Sequence, residues 1–466
     1  MQSKLYQYVQ ANVQNTTVDS RYKIPLKHVT NVDKHLRDLT MIPKTNGYKP
    51  NTFNAYELTD NYLYVPRFYG IQTWGKAEIN NSVCGDDLDV QFTGTLRPVQ
   101  TDAINKVLDK MKGDGPCGAM LVLPCGFGKT VCGIKIGCML KKRTLVLVHK
   151  TFLIQQWQER IKTFAPDATI GKIQQNTIDA NSDFVIASIQ SIAKRDYSTD
   201  VLNRFGTLII DEAHHMSAPI FSTALQKLAC KYTIGISATP ERPDGLTRLL
   251  YWSMGDIVFR CERENEQVLV NIGTISSFES DVSYKNGQIA MPLMLNKLAT
   301  HQPRNKGISM HIHNYYLKDR NIIVLSSRIE QLNLISDMLL TMGVIALDIG
   351  FYIGTTPSKD REEVSQRKII LSTYSMAKEG LDIPRLDTLI MSLPSSNIEQ
   401  AVGRIQRSMP NKKIPLVLDI IDNSTASNSN TTMFAFMSKK RKRFYDTNGF
   451  TCKTACLLDT AHEWHC

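Results

Sequence analysis

Leu121–Thr130 reads LVLPCGFGKT, and it decides how the rest of the chain is read. The apolar run Ala119–Leu123 ends in Pro124, Cys125, Gly126, Phe127, Gly128, Lys129 and Thr130, and a helix-compatible segment follows over Val131–Leu140. The order predicts strand, phosphate loop, helix. Glycines let backbone N–H groups approach an anion closely, and the helix N-terminus adds the positive end of its dipole. Lys129 can then reach the β- and γ-phosphates of ATP, and the Thr130 hydroxyl can hold Mg2+. A full phosphate-loop template has glycine five residues before Gly128, where this chain has Leu123. Partner motifs therefore decide the reading.

Upstream, LRPVQ (Leu96–Gln100) precedes an amphipathic run with Ala103, Ile104, Val107, Leu108 and Met111 at helical spacing. A glutamine held at a helix start, Gln100, can read an adenine edge by accepting from its amino group and donating to a ring nitrogen. Downstream, Thr144–Val148, Phe184–Ala187, Thr207–Ile210 and Tyr232–Ile236 read as short buried strands. Between the first two lies a helix bearing Phe152, Leu153, Trp157, Ile161 and Phe164. A parallel sheet places its ligand at the polar ends of such strands. One of them ends in Asp211, Glu212, Ala213, His214. The aspartate can hold Mg2+ through water, and the glutamate can orient and deprotonate an attacking water. Tyr232–Ile236 leads into Ser237, Ala238, Thr239 and Pro240, small residues suited to linking the acidic site to a moving neighbour.

A second alternating block has predicted strands at Ile322–Leu325, Lys368–Leu371, Thr388–Met391 and Leu416–Leu418, which implies a second doubly wound domain. It carries Glu379–Pro384 (EGLDIP) and Gln400–Arg407 (QAVGRIQR). The spacing predicts Arg404 and Arg407 on one helix face. Arginine supplied from the opposite domain suits the growing charge on a transferring phosphoryl group.

The remaining features bound the answer. At 466 residues the chain is long enough for about three domains. The expected division is 1–90 accessory and open to DNA binding, 91–262 ATP-binding, 263–303 connecting, 304–425 second motor domain, and 426–466 basic extension. Fifty-five Lys and Arg against 44 Asp and Glu give +11, which favours a polyanionic partner. No apolar run approaches the ~18 residues of a membrane span. The polar start lacks a signal peptide's apolar core, and ten scattered cysteines fit reduced thiols inside a cell, so an intracellular location is expected. Aromatics between Tyr48 and Trp74 read mainly as core and secondarily as a base-stacking surface. The basic run Lys439–Arg443 reads equally as a phosphate contact and as a solvated helix end. Cys452, Cys456, His462, His465 and Cys466 could supply zinc ligands, but their spacing fits no standard finger.

Taken in order, LRPVQ, PCGFGKT, DEAH, SATP, EGLDIP and QAVGRIQR resemble the motif series of superfamily 2 helicases, over about residues 92–422. SATPERPDGL and Arg304–Ile308 (RNKGI) are similar to XPB-like and recombination helicases of phages and large DNA viruses. The resemblance implies an α/β fold of two tandem RecA-like domains with parallel sheets plus a small N-terminal domain, and a monomeric motor core. It implies Gln100 on adenine and Pro124–Thr130 on phosphates. Thr130 and Asp211 would serve Mg2+, and Glu212 water. Gly380 and Asp382 would line the nucleotide, Arg404 and Arg407 would complete the site, and Ser237, Ala238, Thr239 and Gln400 would couple the domains. His149, Lys150, Thr151, Ser188, Gln190, Ser191, Ser326, Ser327, Arg328, Ser372 and Thr373 would track a DNA strand. The implied activity is ATP-driven movement on DNA, 3′ to 5′, with unwinding or remodelling of branched DNA. An RNA-directed enzyme and an ATP-switched nucleic-acid clamp are the alternatives.

Overall fold

The structure is a computed structural model that describes residues 13–43, 52–124, 126–212, 218–238, 242, 244–261, 267–278, 284–285, 288–357, 359–379, 383–396, 398–407, 409–424, 433–458 and 464. The chain divides into two compact units, Met1–Glu262 and Arg263–Cys466.

The first unit is built on an eight-stranded sheet, in the order Thr177–Ile178, Ile170–Gln174, Phe184–Ser188, Thr144–Val148, Thr207–Asp211, Tyr232–Ser237, Cys117–Val122, Ile257–Arg260. All pairs are parallel except that of the first two strands. Cys117–Val122 and Thr144–Val148 are buried along their whole length, which explains their unbroken apolar sequence: helices cover both faces. Of the five strands expected in this block, four form with ends shifted by at most one residue, and the one read at Ala119–Leu123 runs from Cys117 to Val122. Ile170–Gln174 and Ile257–Arg260 were not expected; they lie toward the sheet's margins, where partial exposure mixes polar residues into the run.

The N-terminal residues form a second, five-stranded sheet whose longer strands, Arg21–Pro25 and Tyr62–Pro66, pair antiparallel. Their alternation is clean: Tyr22, Ile24, Leu63 and Val65 are buried, whereas Arg21, Lys23, Tyr62 and Tyr64 are half-buried on the other face. Tyr22 stacks on Trp74, and Tyr69 meets Trp252 of the motor helix Thr247–Met254 edge-on at 4.9 Å. Most aromatics here are core. This sheet is packed into the first unit rather than standing apart.

The second unit holds a seven-stranded, wholly parallel sheet, ordered Ile349–Tyr352, Ile369–Thr373, Ile322–Ser326, Thr388–Met391, Leu416–Ser424, Leu269–Phe278, Thr451–Cys456. Leu269–Phe278 falls in the segment expected as a connector and Thr451–Cys456 in the expected extension. Both belong to the sheet because a strand pairs with whatever neighbour covers its edge, whatever the distance in sequence. Three buried ion pairs tie it together: Arg304–Asp422, Arg320–Asp387 and Arg441–Asp419. Arg441, the centre of the basic run, is therefore buried, while Lys439, Lys440, Lys442 and Arg443 are exposed on the helix Met433–Thr447. No helix among the described residues is long and apolar enough to cross a membrane.

Candidate active site

The phosphate loop leaves the strand Cys117–Val122 and enters the helix Lys129–Leu140. Gly126 and Gly128 have φ of +86° and +77°, the left-handed region that disfavours side chains. The loop also closes on itself, since the Phe127 N–H donates to the Pro124 carbonyl at 3.2 Å. No side chain caps the helix at Gly128, and its first turn holds no acid, so its positive end faces the loop. A Cβ on Gly128 would lie 2.3 Å from Nε2 of Gln100. Cys125 lies outside the described residues.

Gln100 is buried, and its amide is engaged by the chain itself. Nε2 donates to the Phe127 carbonyl at 2.8 Å, and Oε1 accepts from the Arg97 N–H at 2.8 Å. Each end keeps one valence, the pair an adenine edge requires. Arg97, which the sequence reading passed over, donates from Nη2 to the Gly126 carbonyl at 3.0 Å. Its signal was available in LRPVQ: an arginine and a glutamine bracketing the start of a helix can both reach back to the loop beside it.

Two strands away from Cys117–Val122, the strand Thr207–Asp211 delivers Asp211 and then Glu212 to the same edge. Lys129 Nζ donates to Glu212 Oε1 at 2.5 Å, with both side chains mostly buried. Glu212 takes φ +52°, a strained region for a residue with a side chain, and its N–H is held by the Ile236 carbonyl at 2.9 Å. Asp211 accepts from Trp157 Nε1 at 2.9 Å. Its pKa is pushed up to about 6, chiefly by burial and next by the adjacent Glu212 charge, while Lys129 and the indole oppose the rise. Phosphate loop, lysine and paired carboxylates are thus gathered at one sheet edge. A buried carboxylate beside the Thr130 helix start is a hard-oxygen donor set, which fits a divalent cation bound together with phosphates.

The neighbouring strand ends in Ser237, which is buried and whose carbonyl accepts from the Leu123 N–H at 3.0 Å; Ala238 follows. Thr239, Ala213 and His214 lie outside the described residues. Farther along the same edge, Ser188 Oγ donates to Gln190 Oε1 at 2.8 Å, and Gln190 Nε2 donates to the His149 carbonyl at 3.1 Å. Thr151 Oγ1 accepts from Gln174 at 3.0 Å, next to Lys150. Five expected nucleic-acid residues therefore sit together. Ser191 is buried and accepts from the Gln175 N–H at 3.0 Å.

In the second unit, Ser326 and Ser372 are fully buried. Their hydroxyls donate to Gln331 Oε1 at 2.8 Å and to the Tyr352 carbonyl at 2.6 Å. In this structure both hydroxyls are engaged within the unit, at the ends of their strands. Ser327 is exposed, Arg328 is held by Asn296 Oδ1 at 2.5 Å, and Thr373 Oγ1 lies 3.1 Å from Ser375 Oγ. Gln400 and Arg404 lie on the helix Glu399–Ile405, where Arg404 Nε donates to the Ala377 carbonyl at 2.8 Å. Arg407 lies beyond the helix end, which corrects the shared helix face. Pro410 makes a helical Met409 unfavourable, and the helix stops short. Gly380 and Asp382 lie outside the described residues, as do His462, His465 and Cys466. Among the described residues no group of three or more His, Cys, Asp or Glu could hold a metal ion.

Two family models match the chain: the res subunit of type III restriction enzymes over residues 93–242 and the helicase conserved C-terminal domain over residues 309–409. A candidate ATP-dependent RNA helicase of Acanthamoeba polyphaga mimivirus is 36% identical, over 91% of this chain and 83% of its own. The DNA 3′-5′ translocase XPB2 of Sulfurisphaera tokodaii is 34% identical over 35% of each. A DNA-bound ATP-dependent type ISP restriction-modification enzyme aligns with a TM-score of 0.56 at 16% identity, over 80% of this chain and 32% of that one, a likeness of fold.

Proposed function

We infer the activity from the family, since the chain belongs to the superfamily 2 helicases, the XPB-like and viral helicases among them. It is a nucleic-acid-dependent ATPase that binds ATP with a divalent metal. Beyond that, the reading that fits best is a DNA motor that moves 3′ to 5′ and remodels branched DNA with Mg2+ as its metal. The observation that carries the ATPase part of this reading is the cluster of Lys129, Asp211 and Glu212 at the sheet edge beside the phosphate loop.

In this reading, Mg2+ supplies neutralisation of the charge on the transferring phosphoryl group. The loop N–H groups and Lys129 would bind the phosphates, and Thr130 and Asp211 would hold the metal. Glu212 orients the attacking water and accepts its proton at the carboxylate. The Lys129–Glu212 contact gives this arrangement an interlock. Lys129 must leave Glu212 to reach a phosphate, so the base is released as the phosphates are bound. The helicase resemblance further assigns Arg404 and Arg407 to stabilising the charge, and Gln400 and Ser237 to coupling hydrolysis to movement. The network of His149, Gln190, Ser188, Thr151 and Lys150 grips a backbone by charge and shape.

The choice of DNA rests on the DNA translocase similarity; RNA is the second reading, supported by the description of the mimivirus relative. Steady-state ATPase rates with single-stranded DNA, duplex, fork, four-way junction and RNA separate them over a salt series. Greatest stimulation by branched DNA, falling with salt, is expected; stimulation by RNA alone overturns the DNA assignment. Lys129→Ala abolishes turnover, and Glu212→Gln binds ATP but hydrolyses it slowly. Normal hydrolysis by either sinks the residue roles.

A further inference from the structure

Arg67 is a guanidinium buried to 4% exposure, and no carboxylate among the described residues is in ion-pair contact with it. Its Nη1 donates to the Cys230 carbonyl at 2.8 Å and its Nη2 to the Leu228 carbonyl at 3.2 Å. Three of its five N–H groups are left over. Burial lowers its pKa to about 10, so it stays charged at neutral pH, and Asp19 opposes the shift only from beyond ion-pair distance. The neighbouring Cys230 thiol is held neutral by burial, its pKa pushed up to about 12, and offers no counter-charge. A buried charge facing two carbonyls and, at 6.0 Å, the Phe68 ring is costly, and an anion would lower that cost.

Arg67 lines a small, partly open cleft. Its wall is rich in hydroxyls: Ser20, Ser222, Thr233 and Ser253. Ser20 donates to the Gln226 carbonyl at 2.6 Å, and Ser222 accepts weakly from Gln226 at 3.4 Å. The Thr233 and Ser253 hydroxyls take part in none of the hydrogen bonds found among the described residues, and Arg21 stands at the margin. A guanidinium sharing a cleft with the two uncommitted hydroxyls of Thr233 and Ser253, beside the apolar Pro66, Leu208, Leu225 and Leu228, is a set that can recognise a tetrahedral oxyanion. The cleft is not the nucleotide site. Leu208 and Thr233 are the second residues of the strands that end in Asp211 and Ser237, and three or four residues of strand put it ~10–13 Å away at the opposite edge.

We propose that this cleft binds inorganic phosphate or a terminal phosphate monoester, with Arg67 as the charge partner and Thr233 and Ser253 as donors. The walls come from two places. Ser20, Arg21 and Arg67 belong to the N-terminal sheet region, whereas Ser222, Thr233 and Ser253 belong to the motor. A bound phosphate therefore fastens the accessory sheet to the elements that follow Glu212 in the chain.

Equilibrium dialysis with radiolabelled inorganic phosphate tests this on the full chain carrying Lys129→Ala, which disables the phosphate loop as a competing anion site. One saturable site is expected. Adding Thr233→Val and Ser253→Ala, which leave the Arg67 carbonyl contacts in place, weakens it tenfold or more, and so does Arg67→Gln. The first melting transition of the Lys129→Ala chain rises by ~3 °C at saturating phosphate, and the rise is lost with the hydroxyls. Competition by a 5′-phosphorylated dinucleotide, but not by its dephosphorylated form, assigns the monoester; competition by neither assigns free phosphate. Absence of a saturable site, or a site indifferent to Thr233→Val with Ser253→Ala, overturns the proposal and leaves Arg67 as a brace on two carbonyls.

Discussion

Trp157 donates its indole N–H to the carboxylate of Asp211 at 2.9 Å, joining the helix Thr151–Phe164 to the end of the strand Thr207–Asp211. Both residues are buried, and Trp157 also packs in the apolar layer beside Ile209 and Ile236. The bond fixes which way the carboxylate faces at the site where a cation would bind.

Replacing Trp157 by phenylalanine keeps most of the apolar area and deletes the donor. A buried carboxylate oxygen then loses a partner, at a cost of ~1–3 kcal/mol. Urea unfolding of Trp157→Phe should show that loss, and the Mg2+ concentration for half-maximal ATPase should rise. Wild-type values for both would mean that the indole plays no part in positioning Asp211.

At Gly128 two obstacles coincide, the φ of +77° and the approach of Gln100. Gly128→Ala should weaken binding of a fluorescent ATP analogue by about tenfold or more. Adding Gln100→Ala removes the clash but leaves the backbone strain and deletes the adenine contact assigned to Gln100, so it should restore little of the affinity. Full recovery in the double variant would show that crowding alone makes glycine necessary.

Arg304 lies 2.7 Å from Asp422, both nearly fully buried, and a second N–H reaches the same carboxylate at 3.0 Å. Removing one partner strands the other's charge. Arg304→Ala should cost ~3–5 kcal/mol, whereas Arg304→Met with Asp422→Leu should recover much of it. Denaturant unfolding of the three proteins measures this, and a double variant no better than the single would place the loss in packing instead.

His311 is buried against the Leu457 carbonyl, 2.9 Å from Nε2, and edge-on to Trp464. Burial holds its pKa below the usual 6.5, and the carbonyl contact offsets this only in part. The native state thus binds fewer protons than the unfolded chain. Its contribution to stability is whole above pH ~6.5 and is lost as the pH falls toward the depressed value. His35 and His301 are shifted the same way, again mainly by burial. These three histidines lower stability between pH 7 and 5, against the opposite effect of the raised Asp211 pKa, and the slope should be shifted in His311→Gln by the loss of its share. An unchanged slope would assign the acid sensitivity to the other two.

The sheet strands covered on both faces were legible because burial on both sides demands unbroken apolar runs, as in Thr144–Val148 and Thr388–Met391. Strands with mixed surroundings were not: Ile349–Tyr352 stands at an edge and alternates in burial. Leu269–Phe278 is bordered by segments from residues 416–424 and 451–456, and no local pattern announces such partners. The same holds for ion pairs. Arg304 and Asp422 are 118 residues apart, and Arg441 looked like one charge in a solvated run.

The sequence by itself determined the chemistry of the edge. Glycines before a lysine, carboxylates closing an apolar strand and arginines late in the chain are properties of residue type and order. Tertiary structure decided which of them act together and which are occupied elsewhere. Lys129 meets Glu212 because strand order sets Thr207–Asp211 two strands from the phosphate loop, and the same packing consumes the hydroxyls of Ser326 and Ser372. It also isolates Arg67, whose lack of a counter-charge depends on what surrounds it. Charge, hydroxyl and glycine are written locally, but burial and partnership are set by neighbours distant in the chain.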